Sequence, residues 1–383
     1  MKLSPLIPKS AFHGLERVTW LYSGAETPPL QGAAQALEAY IRNRELGPDG
    51  RAKNAEIEQS LRKRLAQLLN GRAQDIALVS NASEAITLFL QSLRLQAGDN
   101  IVLHTLEFPS GMLPVLLLQE LGVELRLVPH RDWQVSGDDL FARVDARTRL
   151  VLTSHVSFVS GVRLDYRSLY ARLRETQTLL LLDATQSLGA VPVDLQAADA
   201  VVCSSYKWLM SLHGLGVLAL NPARLRDLRP ASAGWRSVQE LFHADRFATF
   251  EYHDDARRFE LGFPNYPAIY TMNFSAELLL GIGIDRVEAQ IERLAGYLIA
   301  RLSEAGYEVM TPREPERRAG NVSFVCEQGE LVAARLQGTG IYVWGGDGRL
   351  RASVHAFNDS DDIDRLIAAL PAAAAAEGGS VHA

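Results

Sequence analysis

Thr178-Leu-Leu-Leu-Leu-Asp183-Ala-Thr-Gln186-Ser187, followed after a second apolar segment by Ser204-Ser205-Tyr206-Lys207-Trp208, is the stretch that decides how this 383-residue chain folds. An apolar run closed by an acid reads as a buried parallel strand with a carboxylate at its C-terminal edge. That edge is where open α/β sheets place their ligands. Read alone, Asp183 could equally be the N-cap of a following helix. Lys207, 24 residues on (207 − 183), changes that balance. The chain has five lysines, at positions 2, 9, 53, 63 and 207, so Lys207 is alone in the last 320 residues (383 − 63). Arginine carries the remaining positive charge, and arginine cannot lose a proton to become a nucleophile. A lysine kept where arginine is the rule suits an amine that must form a Schiff base with an aldehyde.

Working outward, Ile76-Ala-Leu-Val-Ser80 reads as a strand. The helix opening at Ala82-Ser83-Glu84 aims its free N–H groups and dipole at an anion such as a phosphate. His213-Gly-Leu-Gly216 reads as a turn that lets the backbone pass close to the lysine loop. Strands are expected at 76–80, 100–104, 124–128, 149–154, 178–183, 199–203 and 216–220. Helical patterns fall at 31–45, 53–69, near 273–305 and near 360–370. This alternation predicts right-handed crossovers and a largely parallel sheet. The two cysteines, Cys203 and Cys326, form no disulfide framework or metal pattern; both read as small buried hydrophobes in strands.

In family order and spacing, Ser80-Asn-Ala-Ser-Glu84-Ala, Glu107-Phe-Pro-Ser110, His155-Val-Ser-Phe158, Asp183-Ala-Thr-Gln186, Ser204-Ser-Tyr-Lys207-Trp, Arg258-Phe-Glu-Leu-Gly262-Phe-Pro-Asn265 and Arg351-Ala-Ser-Val resemble the class V aminotransferase family. These are fold-type I enzymes of pyridoxal phosphate (PLP), a group that includes cysteine desulfurases and isopenicillin N epimerase-like proteins. The resemblance implies an α/β fold, with a mostly parallel seven-stranded sheet in a large domain and a smaller α+β C-terminal domain. It implies PLP as cofactor, with Lys207 as its Schiff-base lysine and Asp183 at the ring nitrogen. Gln186 is expected at the phenolic oxygen and Phe108 on the ring face. Ala82, Ser83, Ser204 and Tyr206 are expected around the phosphate. Arg351 is expected at the substrate α-carboxylate, with Arg349 beside it an ordinary exposed arginine. Gly24 and Ala25 resemble a loop that closes over the substrate, and Asn265 is a further substrate-binding candidate. No metal site is expected.

Departures from the family narrow the chemistry. Phe108 stands where desulfurases carry His, which removes a proton carrier from that face and leaves Lys207 to move the Cα proton. Ile341 to Arg351 lacks the loop bearing a persulfide cysteine. Phe158 stands in place of an Asn beside the cofactor and Phe263 in place of a Thr that reaches the neighbouring subunit. Transamination of an α-amino acid is expected first, then a C–S β-lyase, then an epimerase. A PLP-binding protein without turnover is the non-enzymatic alternative. Trp235, Arg236, Tyr252, His253 and Tyr342 are candidates for the side-chain pocket.

The organisation expected is a PLP-binding domain at 20–250, a small domain from 1–19 and 251–372, and a flexible tail at 373–383. A 47% apolar, 22% charged composition is ordinary for a globular enzyme. Net charge −6 without a long basic run argues against nucleic acid. No apolar stretch approaches the roughly 20 residues a bilayer requires, and the proline-broken N-terminus lacks a signal-peptide core. A cytoplasmic homodimer acting on a small-molecule amino acid is therefore the expectation.

Overall fold

The computed structural model describes residues 2–375. Twelve strands run in chain order: β1 (Thr19–Trp20), β2 (Ile76–Val79), β3 (Asn100–His104), β4 (Glu124–Val128), β5 (Thr148–Ser154), β6 (Leu179–Asp183), β7 (Ala200–Ser204), β8 (Gly216–Leu220), β9 (Asn321–Val325), β10 (Ile341–Tyr342), β11 (Trp344–Gly346) and β12 (Arg349–Ser353). Seven of them form one sheet in the order β2-β8-β7-β6-β5-β3-β4. Every neighbouring pair is parallel except those of β8, which runs antiparallel to both β2 and β7. The leucine run explains the central position of β6: Leu180, Leu181 and Leu182 are fully buried on alternating faces. Such a strand is stable only with cover on both sides. That cover comes from helices such as Ala82–Ser92 on one face and from the β9–β12 region with its helices on the other.

All seven strands lie where the sequence places them, within a residue or two. Helix ends fare less well. The second helix runs Pro48–Leu68, five residues earlier than the pattern suggested, because Pro48 after Gly47 (φ 59°) initiates a helix rather than a turn. The single helix expected near 273–305 is two, Tyr266–Ile282 and Ile284–Glu304, separated by Gly283 at φ 91°. Cys203 is a buried member of β7, but Cys326 lies one residue past β9 and is only half-buried.

A three-stranded antiparallel sheet, β11-β12-β9, sits beside the large one, and the short β1 pairs with β10. The N-terminal segment is tied to the C-terminal region by Lys9, whose amine meets Asp359 at 2.9 Å and Asp362 at 2.7 Å. The expected tail at 373–383 lies mostly outside the described residues; its first three residues belong to the helix Ser360–Ala375. No helix among the described residues is long and apolar enough to cross a membrane.

Candidate active site

Five chain segments meet at the C-terminal edge of the large sheet, around a cleft lined by Ser83, Phe108, Phe158, Asp183, Tyr206, Lys207 and their neighbours. The helix Ala82–Ser92 begins there. Asn81 caps it by accepting from the Glu84 N–H at 2.9 Å, and the Ala82 N–H donates to Ser204 Oγ at 3.1 Å. Ser83 Oγ lies 2.7 Å from Ser110 Oγ. Three hydroxyls and a helix N-terminus thus converge at one end of the cleft, an arrangement suited to phosphate oxygens. Gly216 is required beside it: a Cβ there would come within 2.7 Å of the Asn81 backbone.

Asp183 closes β6 at the floor. It is 8% exposed and accepts from the Thr185 N–H at 2.8 Å. Burial raises its pKa, and the nearby Glu107 carboxylate adds to the rise. Glu107 is itself fully buried; burial alone would raise it. The facing His104 ring and two hydrogen bonds from Ser154, at 2.7 and 2.6 Å, instead hold it below the ordinary carboxylate range. Hydrogen bonding from Thr185 and the Lys207 charge offset only part of the rise at Asp183. No salt bridge forms on Asp183 among the described residues, which leaves the carboxylate able to receive an N–H cation in the cleft.

Lys207 follows β7 and is 7% exposed. Its Nζ lies 5.5 Å from the Phe108 ring centroid and 5.9 Å from that of Tyr206. Burial, then the Arg351 charge, lowers its pKa to about 8, so about a fifth of the amine is neutral near pH 7.4, far more than for an ordinary lysine. Phe108 meets Phe158 edge-to-face at 5.0 Å and forms the opposite wall. The Tyr206 ring stacks on His213 at 4.1 Å.

Arg351 stands on β12, next to the cleft rather than among its lining residues. It is 3% exposed and donates through Nη1 to the Phe158 carbonyl at 2.8 Å, while its Nε is buried without a partner. Among the described residues no carboxylate pairs with it. Burial and the neighbouring Arg349 depress its pKa to about 9. Gly24 packs directly on it: a Cβ at Gly24 would lie 3.0 Å from Arg351 Nε, 2.6 Å from Ser353 Oγ and 2.4 Å from Asn321 Oδ1. Ala25 follows in the same turn, its N–H donating to the Tyr22 carbonyl at 2.8 Å.

Several expectations need correction. Gln186 is committed elsewhere: its Nε2 donates to the Gly24 carbonyl at 2.8 Å, and its Oε1 accepts from Trp208 Nε1 at 3.0 Å and Asn321 Nδ2 at 3.1 Å. It lines the cleft but knits three segments together, with one amide N–H left over. Asn265 does not reach the cleft. It is the exposed cap of the helix Tyr266–Ile282, accepting from the Ala268 N–H at 3.1 Å. Arg349 is not exposed: its side chain is 2% accessible. Arg236 belongs to a buried ionic cluster with Glu58, Glu260 and Arg62. Trp235, Tyr252, His253 and Tyr342 are likewise absent from the cleft lining, and so are Arg351, Gly24 and Ala25; Arg351 and Gly24 adjoin it through the lining residues Phe158 and Gln186. Sequence reasoning missed Ser110 and Thr185 as lining residues. Their places next to Phe108 and Asp183 were the available signals.

These features match a known family. The model of the aminotransferase class-V family fits residues 20–366, and the chain belongs to that family. An uncharacterized aminotransferase of Schizosaccharomyces pombe is 26% identical over 373 residues, covering 95% of this chain and 93% of the relative. A cysteine desulfurase of Salmonella newport is 27% identical over 344 residues, covering 83% of each chain. Among solved structures, the apo cysteine desulfurase of Thermococcus onnurineus NA1 superposes with a TM-score of 0.86 at 22% identity, over 96% of this chain and 97% of that one. A cystine C–S lyase bound to its product cysteine persulfide gives 0.86 at 24%, over 94% and 98%. The chain is thus a PLP-dependent enzyme of the class V type.

Proposed function

We propose that this enzyme acts on an α-amino acid, with amino-group transfer as its first reaction. The observation that carries the proposal is the juxtaposition of two buried basic residues: an amine depressed to about 8 at Lys207, and the guanidinium cation of Arg351, which lacks a carboxylate partner among the described residues. A buried charge of that kind is costly unless a ligand supplies the counter-charge. A planar guanidinium suits an α-carboxylate.

When bound, PLP supplies an aldehyde that links to amines and a ring that withdraws electrons from the attached carbon. The residues divide the remaining work. Ala82, Ser83, Ser204 and Tyr206 hold the phosphate, and Ser110 joins them through its contact with Ser83. Asp183 would pair with a protonated ring nitrogen, Phe108 would pack on the ring, and the spare Gln186 N–H would be free for the phenolic oxygen. Arg351 orients the amino acid, with the Gly24-Ala25 turn closing over it. Lys207 takes the proton from the substrate Cα and also returns it, since Phe108 and Phe158 carry none. A single amine serving both transfers suits amino-group exchange.

A C–S β-lyase is the second reading, favoured by the desulfurase and C–S lyase relatives. A persulfide held on this chain's own thiols is disfavoured. Cys203 is 1% exposed with its pKa pushed up by burial, and Cys326 is half-buried beyond the cleft. The two-domain division at about residue 250 and a cytoplasmic homodimer belong to the same proposal. The dimer is supported by Leu113 and Leu117, 60% and 65% exposed on the helix Pro109–Gln119 beside Phe108. The test is turnover of an amino-acid panel with and without a 2-oxo acid. Dependence on the oxo acid marks a transaminase; pyruvate and sulfide released without it mark a lyase.

A further inference from the structure

Arg349 and Arg351 flank Leu350 on β12, so their side chains leave the same face of the strand. Their Cα atoms stand two strand rises apart, about 6.8 Å. The two guanidinium groups then share surroundings. Trp344 lies 4.7 Å from that of Arg349 and 5.3 Å from that of Arg351. Arg349 also faces the Phe158 ring at 5.6 Å, and Phe158 in turn packs on Phe108 in the cleft. Both arginines are at least nine-tenths buried.

The hydrogen-bond inventory of Arg349 is incomplete. Its Nη1 donates to Asp347 Oδ2 at 2.7 Å and to the Asp347 carbonyl at 3.4 Å. Its Nε and Nη2 are buried and donate to nothing among the described residues. Those two nitrogens form the side-on edge of the guanidinium, the edge that receives a carboxylate through two parallel hydrogen bonds. Asp347 is 79% exposed, so water screens most of its charge from Arg349. The result is two buried cations on one strand face, with one solvated carboxylate that meets Arg349 alone. Leaving such groups unpaired costs more than a purely structural role returns.

Building on the proposed amino-acid site, the geometry points to a substrate with a second carboxylate, received by the Nε–Nη2 edge of Arg349 while Arg351 takes the α-carboxylate. The spacing of the two strand positions fits an acidic amino acid of glutamate length or longer better than a neutral one. The stretch Arg349-Leu-Arg351 is then a two-point reader, and Phe158 is the apolar spacer against which the connecting methylenes lie.

The experiment uses the PLP-loaded enzyme. Binding of glutamate and of glutamine is followed by the change in cofactor absorption, and binding of glutarate and of butyrate by calorimetry. Glutarate has no amino group, so its binding reports the two anion sites without any reaction. Wild type should prefer glutamate to glutamine, and glutarate to butyrate, by roughly 10- to 100-fold, the range for a charge-assisted pair out of water. Arg349→Gln should abolish both preferences while glutamine binds as before. If Arg349→Gln does not fold, Asp347→Asn is the second variant: it frees the remaining Arg349 donor and should hold or increase the acid preference. Equal affinity of wild type for acidic and neutral ligands would overturn the assignment, as would an Arg349→Gln loss shared equally by glutamine, or an acid preference lost in Asp347→Asn. If no α-amino acid of any charge altered the cofactor spectrum, the amino-acid site itself would be wrong. Neutral amino acids that bind as well as acidic ones would reject only the role of Arg349.

Discussion

Replacing Gly24 by alanine adds one methyl group where the structure has no room. The new Cβ would sit 2.4 Å from Asn321 Oδ1, about 0.9 Å inside an ordinary carbon–oxygen contact of about 3.3 Å. Asn321 cannot retreat cheaply. It is fully buried, its Oδ1 accepts from Ser353 Oγ at 2.8 Å, and its Nδ2 donates to Gln186 at 3.1 Å. The loop must move instead, which strains the bond from Gln186 Nε2 to the Gly24 carbonyl. Overpacking costs about 1–3 kcal/mol and the weakened hydrogen bond about 1 kcal/mol, so a stability loss of about 2–4 kcal/mol is expected. Arg351 Nε, 3.0 Å from the same methyl, would shift with it. Displacements near 1 Å at a positioning group can lower turnover by about 100-fold. The assay is urea unfolding together with kcat and KM on the best amino-acid substrate. Gly281→Ala serves as the control, because nothing among the described residues lies within 4 Å of its Cβ position in the helix Tyr266–Ile282. If Gly24→Ala unfolded like wild type and turned over within threefold of it, the close packing of this loop on Arg351 would be refuted.

Three further outcomes follow from the electrostatics and packing. The Lys207 pKa is depressed to about 8, so the amine is neutral above that pH; capture of PLP by the cofactor-free protein should quicken with rising pH and level off past about 8. A midpoint near 10.5, the ordinary lysine value, would show that burial does not act on it. The double variant Cys203→Ala, Cys326→Ala should keep its specific activity per bound PLP and lose about 1 kcal/mol of stability per site; a hundredfold drop at full occupancy would restore covalent sulfur chemistry. Burial on its own raises Glu58, but Arg62 and Arg236 bring it below the ordinary value of 4.5. A lowered folded pKa means stability that is present above 4.5 and lost as the pH falls through the folded value. Glu58→Gln should therefore be less stable at pH 7 and show a shallower acid loss, read by thermal unfolding from pH 7 to 3.

The residues that carry chemistry were legible in order along the chain. Asp183 is announced by the leucines before it, because an acid after a run that must be buried has few places to go except a sheet edge. Lys207 stands out against an arginine background, since only lysine can surrender its proton. The strands were legible for the same reason: two-sided burial demands an unbroken apolar run. Contacts between distant segments were a different matter. Nothing near Gln186 indicates that Gly24, Trp208 and Asn321 will compete for its amide, and nothing in Pro264-Asn265 separates a ligand-binding asparagine from a helix cap. The break at Gly283 was hidden because helical periodicity continues across it. Arg349 is the sharpest case. Composition makes it one arginine among many; its alternation with Arg351 on a strand hints at a shared face. Whether that face meets water or Trp344 and Phe158 is decided by packing between β12 and a turn nearly two hundred residues earlier, a contact that forms only when the chain closes on itself.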